Sequence, residues 1–453
     1  MATVPDKVDD AFLARVTVAT AWGEGLDGYD LGGISVVLAL LIAPQLHLSP
    51  WWTGLIGSSS LIGIFFGAPI FGWVTDRFGR RWLFTADLIV FTIAGLLQFV
   101  VQSDWQLFVV RVVLGLAIGA EYSIGAPILS EFVPSAHRGN RLAALEVCWY
   151  IGYLVSVLAA FALISIPGVG WRLVLASSAV PAFITLLLRM GMPESPRWLM
   201  SRGREKEARA IVTRYLGGDA AFSAEDYAGE PAKQANFVGL FNRKYLSRTI
   251  YLCVFWSCLV APYFAIFTFA PEVLRGLHLS NPAAGQVVIN GIAVVGVVVG
   301  MLVVERIGRR KMAIIPFWVA AVALGVTGIW QGAPSGVIIL AFTVFSFFNA
   351  AQAVLCAIYP NELFPTDLRG SGAGIGSAAS RVGAAVGTFL LPLGISKLGV
   401  AACMLIGAAI LAVGAIASHL WAPETRGLVL TKASGVRPVD QHLTQEGAPN
   451  PAS

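Results

Sequence analysis

The sequence predicts an all-α polytopic membrane protein, with twelve transmembrane helices in two six-helix pseudo-repeats around a central cavity. Three observations predict it. The 453 residues are 57% hydrophobic and only 13% charged, where a soluble chain is about 25% charged. Twelve apolar runs have the roughly 20-residue length that a bilayer core demands. Three short landmarks also recur in register in the second half of the chain. A soluble protein of this size must cover its domains with polar surface, which this composition cannot supply. An ordinary cytosolic enzyme, a disordered chain and a disulfide-stapled secreted domain are thereby excluded. The runs do not alternate over about ten residues as barrel segments do, so strands are not expected.

The expected spans are 16–43, 52–74, 82–101, 105–128, 142–166, 170–188, 249–271, 284–304, 312–331, 336–358, 371–394 and 398–421. The first is marked by acids: Asp6, Asp9 and Asp10 precede it and Glu24, Asp27 and Asp30 lie within it, a pattern unlike a signal peptide. The fourth holds Arg111 and Glu121. The fifth has Gly152 as its one glycine. Cys253–Ala270 in the seventh lacks Gln and Asn. The eleventh is glycine-rich from Gly370 to Gly387, with Arg381 about midway. Cys148, Cys253, Cys258, Cys356 and Cys403 sit inside apolar runs as small core residues, with no metal-type spacing. The G-x-x-x-G pairs at 63/67, 115/119, 296/300 and 383/387 are packing devices.

Orientation follows from the basic residues. With the N-terminus inside, all but five of the 31 Lys and Arg fall in the tails, the central loop and the loops on that same side. Only Arg172, Arg275 and Lys397 fall on the other side, and Arg111 and Arg381 lie within spans. Both termini are therefore expected in the cytoplasm. The net charge of +5 reflects topology, with no nucleic-acid partner implied.

Asp76-Arg77-Phe78-Gly79-Arg80-Arg81 returns as Glu305-Arg306-Ile307-Gly308-Arg309-Arg310, 229 residues later. Glu131-x-x-Pro134-x-x-x-Arg138-Gly139 returns as Glu362-x-x-Pro365-x-x-x-Arg369-Gly370 after 231, and Pro193-Glu194-Ser195 as Pro423-Glu424-Thr425 after 230. Three coincidences in register indicate a parallel duplication. The expected division is a six-helix bundle at 1–188, a linker loop at 189–248, a second bundle at 249–422 and a tail at 423–453.

These residues resemble the major facilitator superfamily, over nearly the whole chain. Gly72-x-x-x-Asp76-Arg77-x-Gly79-Arg80-Arg81 matches its loop motif, and Arg111-x-x-x-Gly115-x-x-x-Gly119 resembles its second motif. Pro193-Glu-Ser-Pro-Arg197-Trp-Leu199 resembles the sugar-porter and organic-ion branch. Asp27-Gly28-Tyr29-Asp30 resembles the aromatic-acid and metabolite:proton symporters more closely. The second-half copy departs, with Glu305 for Asp and Gly300 one place out of register. The resemblance implies a secondary transporter of the plasma or inner membrane. It would act as a monomer on a small-molecule substrate within the bilayer, with no metal and no cofactor beyond the proton gradient.

The loop charges read as a cytoplasmic gate. Asp76, Glu131 and Glu194 face Arg80, Arg81, Arg138 and Arg197 near one membrane surface, and Glu305, Arg309, Glu362, Arg369 and Glu424 repeat the set. A solvated pair contributes about 0–1 kcal/mol, so a network is needed to bias a conformational equilibrium; the alternative is a set of stop-transfer anchors. Ionisable groups within spans are functional candidates by default. Asp27 and Asp30 are three apart and project near one face. Asp27 and Glu121 lie at similar depth and can meet near the midplane. Arg111 is about 15 Å from Glu121 along the axis at 1.5 Å per residue, so those two are not expected to pair. Crowded carboxylates raise one another's pKa, which makes Asp27, Asp30 and Glu121, with Arg111, the proton-coupling candidates, and Glu24 a weaker one nearest the cytoplasm. The alternative is that Asp30 and Glu121 only satisfy backbone or hydroxyl groups and never titrate. His47, His137, His278, His419 and His442 all lie at ends or loops.

Arg381 is the one deep charge of the second half. Either it offers a planar fork to a substrate carboxylate or it bridges to a first-half acid. Tyr29, Tyr150, Asn290, Asn349 and Gln352, with Trp149, Tyr263 and Phe267, are candidates for the same cavity or for packing. Gly23-Glu-Gly25-Leu-Asp-Gly28 matches a dinucleotide fingerprint but lies inside a span with no preceding strand. No phosphate-loop, zinc-protease or nucleophile-elbow motif is present. The favoured reading is proton-coupled import of a small organic metabolite, an organic acid by preference. The alternatives are a sugar or polyol carrier and a proton-coupled exporter.

Overall fold

The computed structural model describes residues 9–426 apart from 134, 167–168, 217–236, 280 and 365. Its described residues form twelve helices long and apolar enough to span a membrane: α1 (Asp10–Gln45), α2 (Pro50–Thr75), α3 (Leu83–Val100), α4 (Asp104–Leu129), α5 (Ala144–Leu163), α6 (Gly170–Arg189), α7 (Leu246–Thr268), α8 (Pro282–Ile307), α9 (Arg309–Ile329), α10 (Ser335–Pro360), α11 (Ser371–Leu398) and α12 (Val400–Trp421). Each coincides with an expected span to within a few residues at most boundaries. The starts carry local signals. Asp9 caps α1 by accepting from the Phe12 amide at 3.0 Å, and Ser49 and Asn281 cap α2 and α8, each with Pro at the first helical position. Prolines 69, 127, 262, 316, 360 and 392 lie inside helices, which a membrane bundle tolerates because neighbouring groups re-satisfy the freed carbonyls.

The duplication is visible in the packing. α1 lies along α5 and α2 along α4, while α7 lies along α11 and α8 along α10; α3 pairs with α6 as α9 pairs with α12. The halves meet through α2 with α11 and α5 with α8. Close approach needs missing side chains. A Cβ on Gly28 would fall on the Trp149 carbonyl oxygen, and one on Gly152 would fall on the Gly25 carbonyl oxygen, so α1 and α5 touch backbone to backbone. The outer surface exposes Phe66, Ile70, Leu302, Val322 and Leu390, with Trp51, Trp105 and Trp330 at one end and Trp73, Trp82 and Trp421 at the other. That is a lipid-facing belt with interfacial tryptophans.

Three short helices, Pro196–Ser201, Glu205–Tyr215 and Phe237–Leu240, lie in the expected linker loop. They gather at the end that carries the basic loops. Arg189, expected as the first residue of that linker, instead closes α6 and is buried inside the bundle.

Candidate functional site

At the end opposite the basic loops the two halves are pressed together. The Trp51 and Phe389 rings meet edge-on at 4.8 Å, Gln286 Nε2 donates to Ser35 Oγ at 2.8 Å, and Tyr153 Oη donates to the Phe267 carbonyl at 3.0 Å. Toward the basic end the halves part around a cavity of about 320 Å³, with Leu142 and Ala126 on one wall and Pro360 and Ala373 on the other. Its inner wall is aromatic (Trp149, Tyr150, Tyr263, Phe264, Trp256) and carries three charges, Glu24, Glu146 and Arg381.

The charges come from different halves. Arg381 on α11 lies 4.6 Å above the Tyr122 ring and its Nε is buried without a partner. Beneath that ring, one oxygen of Asp27 accepts from Tyr122 Oη and from Trp149 Nε1 at 2.7 Å. The other oxygen, Oδ1, is buried without a partner. Asp27 is thus one tyrosine away from Arg381, not ion-paired to it.

Two buried ion pairs lie within the first half. Arg111 grips Asp30 with both terminal nitrogens, at 3.2 and 2.9 Å, while Ser60 Oγ and Gln98 Oε1 accept from the same guanidinium. Arg189 grips Glu121 with two bonds of 2.6 Å, donates to the Ala19 and Phe84 carbonyls, stacks 3.7 Å above the Phe84 ring and reaches Asp87 at 3.6 Å. The absence of an Arg111–Glu121 pair follows the axial separation. The meeting of Asp27 with Glu121, by contrast, does not occur. Residues 121 and 122 point about 100° apart on α4, so Tyr122 turns to Asp27 and Glu121 turns to α6.

At the basic end the expected gate has a different chemistry. Glu194 accepts from the backbone amides of Arg80 and Arg81, each at 3.1 Å. Glu424 does the same for Arg309 and Arg310, at 3.0 and 3.1 Å. Both carboxylates close a turn at a glycine of positive φ, Gly79 at 98° and Gly308 at 90°, where a Cβ would strike the carboxylate oxygen. The expectation that these acids face guanidinium groups is therefore corrected: they satisfy orphan N–H groups between consecutive helices. Side-chain pairing does occur in the second half, where Arg309 grips both Glu305 and Glu362, at 2.7 to 3.2 Å, and Thr425 donates to Glu362. Partial burial pulls the Glu424 carboxyl upward, but the amides of Arg426, Arg309, Arg310 and Thr425 outweigh it and hold the group below its ordinary range. Arg197 is exposed. The side chains of Asp76, Glu131, Arg138 and Arg369 lie outside the described residues.

Of the expected cavity residues, Tyr150, Asn349 and Arg381 line the cavity, with Trp149 and Tyr263. Tyr29, Asn290 and Gln352 do not. Tyr29 Oη bonds Ser177 Oγ at 3.0 Å on α6, Asn290 donates to the Gln286 carbonyl one turn back, and Gln352 donates to the Ala313 carbonyl on α9. Tyr29 and Gln352 face a neighbouring helix of their own half and Asn290 turns back on its own helix, because helix rotation, and not depth, decides which polar groups see the cavity. Glu146, Asp87 and Arg189 were not among the expected intramembrane charges. Glu146 and Asp87 lie inside expected spans, so a complete count of charges within those spans finds both.

Residues 16–436 match the model of the family described as "Sugar (and other) transporter". The chain is 37% identical over 446 residues to the inner membrane metabolite transport protein YgcS of Escherichia coli (strain K12), covering 98% of this chain and 99% of that one. It is 26% identical over 396 residues to the niacin transporter NiaP of Acinetobacter baylyi, covering 83% and 87%. Among solved structures it is similar to the major facilitator superfamily proton:xylose symporter XylE bound to 6-bromo-6-deoxy-D-glucose, with a TM-score of 0.76 at 20% identity, covering 94% and 99%.

Proposed function

The chain belongs to the sugar (and other) transporter family of the major facilitator superfamily, and we propose that it is a proton-coupled importer of a small organic acid, working by alternating access in the inner membrane. The observation that carries this reading is Arg381. It is a guanidinium in the wall between the halves, with no ion pair among the described residues and a buried, unpartnered Nε. A guanidinium held in a low-dielectric cleft without a bidentate carboxylate partner of its own is an anion site.

The proton is assigned to Asp27. Asp30 is already matched by Arg111 and Ser60, and Glu121 by Arg189. Asp27 keeps a buried oxygen without a partner, and a carboxyl left so is readily neutralised by a proton. It touches Tyr122 and Trp149, which line the cavity, so substrate and proton meet at one place. With the basic loops in the cytoplasm, the cavity opens inward. Alternating access then rocks units 1–188 and 249–422 about the central site, with the loop charges of both halves as the gate. The transporter acts as a monomer, with the proton gradient as its only energy source.

Counterflow in proteoliposomes tests the reading. Labelled nicotinate and other small carboxylates are set against D-xylose and L-arabinose, with and without an inward pH gradient. Carboxylate exchange accelerated by an acid exterior is expected. Exchange of the sugars alone would turn the reading to a sugar carrier.

A further inference from the structure

Three charged side chains in the cavity wall have no opposite partner. Glu24 on α1 is only 7% exposed, and that exposure is to the cavity it lines. Glu146 on α5 lines the same wall. Neither carboxylate has a hydrogen bond or an ion pair among the described residues. Arg381 faces them from α11, equally without an ion pair. The other deep carboxylates behave differently, since Asp30 and Glu121 each meet a bidentate arginine and Asp27 accepts two hydrogen bonds. The cavity therefore gathers open valences of both kinds, two carboxyls from the first half that a cation between them would hold ionised and one guanidinium from the second.

A simple anion or a simple cation matches only one side of this wall. A carboxylate on Arg381 alone leaves the two glutamates to take up protons instead of a partner, and an ammonium between the two glutamates would sit beside an unmatched guanidinium. Unpaired charge in a desolvated site carries a cost that a matched partner removes. A ligand carrying both charges satisfies both sides at once, and the aromatic faces of Trp149, Tyr150 and Tyr263 add cation–π attraction for its nitrogen. We propose that the substrate is a zwitterion, an organic acid that also carries a protonated or quaternary nitrogen. Its carboxylate sits on Arg381 and its nitrogen between Glu24 and Glu146. This rests on the reading of Arg381 as the carboxylate site and adds the second pole. It also links the halves, since each pole of one molecule holds one half and closing on the ligand brings the poles' partners together.

Matched probes test it on the purified full-length protein in nanodiscs, by thermal shift. The sets are L-phenylalanine, 3-phenylpropionate and 2-phenylethylamine; L-tryptophan, indole-3-propionate and tryptamine; and 6-aminohexanoate, hexanoate and hexylamine. In at least one set the zwitterion is expected to stabilise at about tenfold lower concentration than either partner, as one charge-assisted contact implies. Glu146→Gln and, separately, Glu24→Gln should each remove that advantage while leaving the carboxylate-only probe as strong or stronger. Glu146→Asp should restore part of it. Carboxylates that bind as well as zwitterions in every set, unmoved by both glutamine variants, would overturn the second pole and leave the Arg381 reading standing. Amines that bind best, or D-xylose binding where no charged probe does, would overturn both readings. No response to any zwitterion overturns the inference.

Discussion

The two halves build the same six-helix bundle from very different interiors. In the first, Asp30–Arg111 and Glu121–Arg189–Asp87 are buried ion-paired networks. About 230 residues further on, Asp87, Arg111 and Glu121 correspond to Phe317, Ala341 and Ala351, and Asp30 to Val260. Phe317 is a fully buried core ring. The fold thus stands without these charges. Buried bridges are weak stabilisers against a hydrophobic alternative, so their confinement to one half points to a task other than folding. At the basic end the halves agree, with Glu194 and Glu424 closing equivalent turns around Gly79 and Gly308. The structural device is duplicated; the charged interior is not.

Breaking the first-half network gives the largest expected effect. Arg189→Met leaves Glu121 and Asp87 buried without a cation, a cost of about 3–5 kcal/mol, seen as loss of monodisperse protein or a sharply lowered unfolding temperature in detergent. His419, the counterpart of Arg189, is exposed at the end of α12, and His419→Ala should change stability by no more than about 0.5 kcal/mol. The triple variant Asp87→Leu, Glu121→Gln, Arg189→Met imitates the second half and should recover most of the loss. If it stays as unstable as Arg189→Met, the charges are needed for folding and the comparison fails.

A smaller effect is expected where backbone meets backbone. Gly28→Ala drives a methyl into the Trp149 carbonyl and should cost about 1–3 kcal/mol. The second half places its small residues on the partner helix instead: Gly383 and Gly387 of α11 pack on Ser257 and Ala261 of α7, and Cys258 occupies the position equivalent to Gly28. Cys258→Ala should therefore be milder than Gly28→Ala in the same unfolding measurement. Equal losses would remove the asymmetry between the two seams.

The twelve spans were legible because bilayer thickness sets their length and hydropathy alone reveals it. The repeat was legible because its landmarks sit in loops whose turn chemistry is fixed, as at Gly79 and Gly308. The partners of buried charges were not legible. Arg189 stands at the junction of an apolar run and a basic linker, where one more arginine looks like topology. Asp27 and Glu121 lie at one depth yet face different neighbours, because pairing depends on helix rotation about the axis, which depth does not encode. Tyr29, Asn290 and Gln352 failed as cavity residues for the same reason.

Coupling is sharpened next. Asp27→Asn should leave substrate exchange intact and remove accumulation driven by a pH gradient. One coupled proton supplies about 1.4 kcal/mol per pH unit, or tenfold accumulation, and that factor should vanish in the variant. Asp30→Asn frees Arg111 from its carboxylate and should lower stability as well as transport, which a thermal scan separates from a pure coupling defect. Full tenfold accumulation per pH unit by Asp27→Asn would move the proton elsewhere.

The smallest effect lies where the halves agree, at the turn closed by Glu424. Four backbone amides hold this carboxyl below its ordinary range against the pull of partial burial. A depressed folded-state pKa contributes stability above the unfolded value and loses it as pH falls through the folded value. The contribution is therefore present at neutral pH and fades in the acid range, below the ordinary carboxylate region near 4.3. Glu424→Gln keeps the shape but removes the charge and turns one acceptor into a donor facing amides. At pH 7 it should cost about 0–1 kcal/mol, since the group is largely solvated. Unfolding temperatures of wild type and Glu424→Gln should differ modestly at pH 7 and converge as the pH approaches 4 and below. A difference that stays constant across that range would mean the carboxylate's charge is irrelevant to the turn, and that Gly308 alone shapes it.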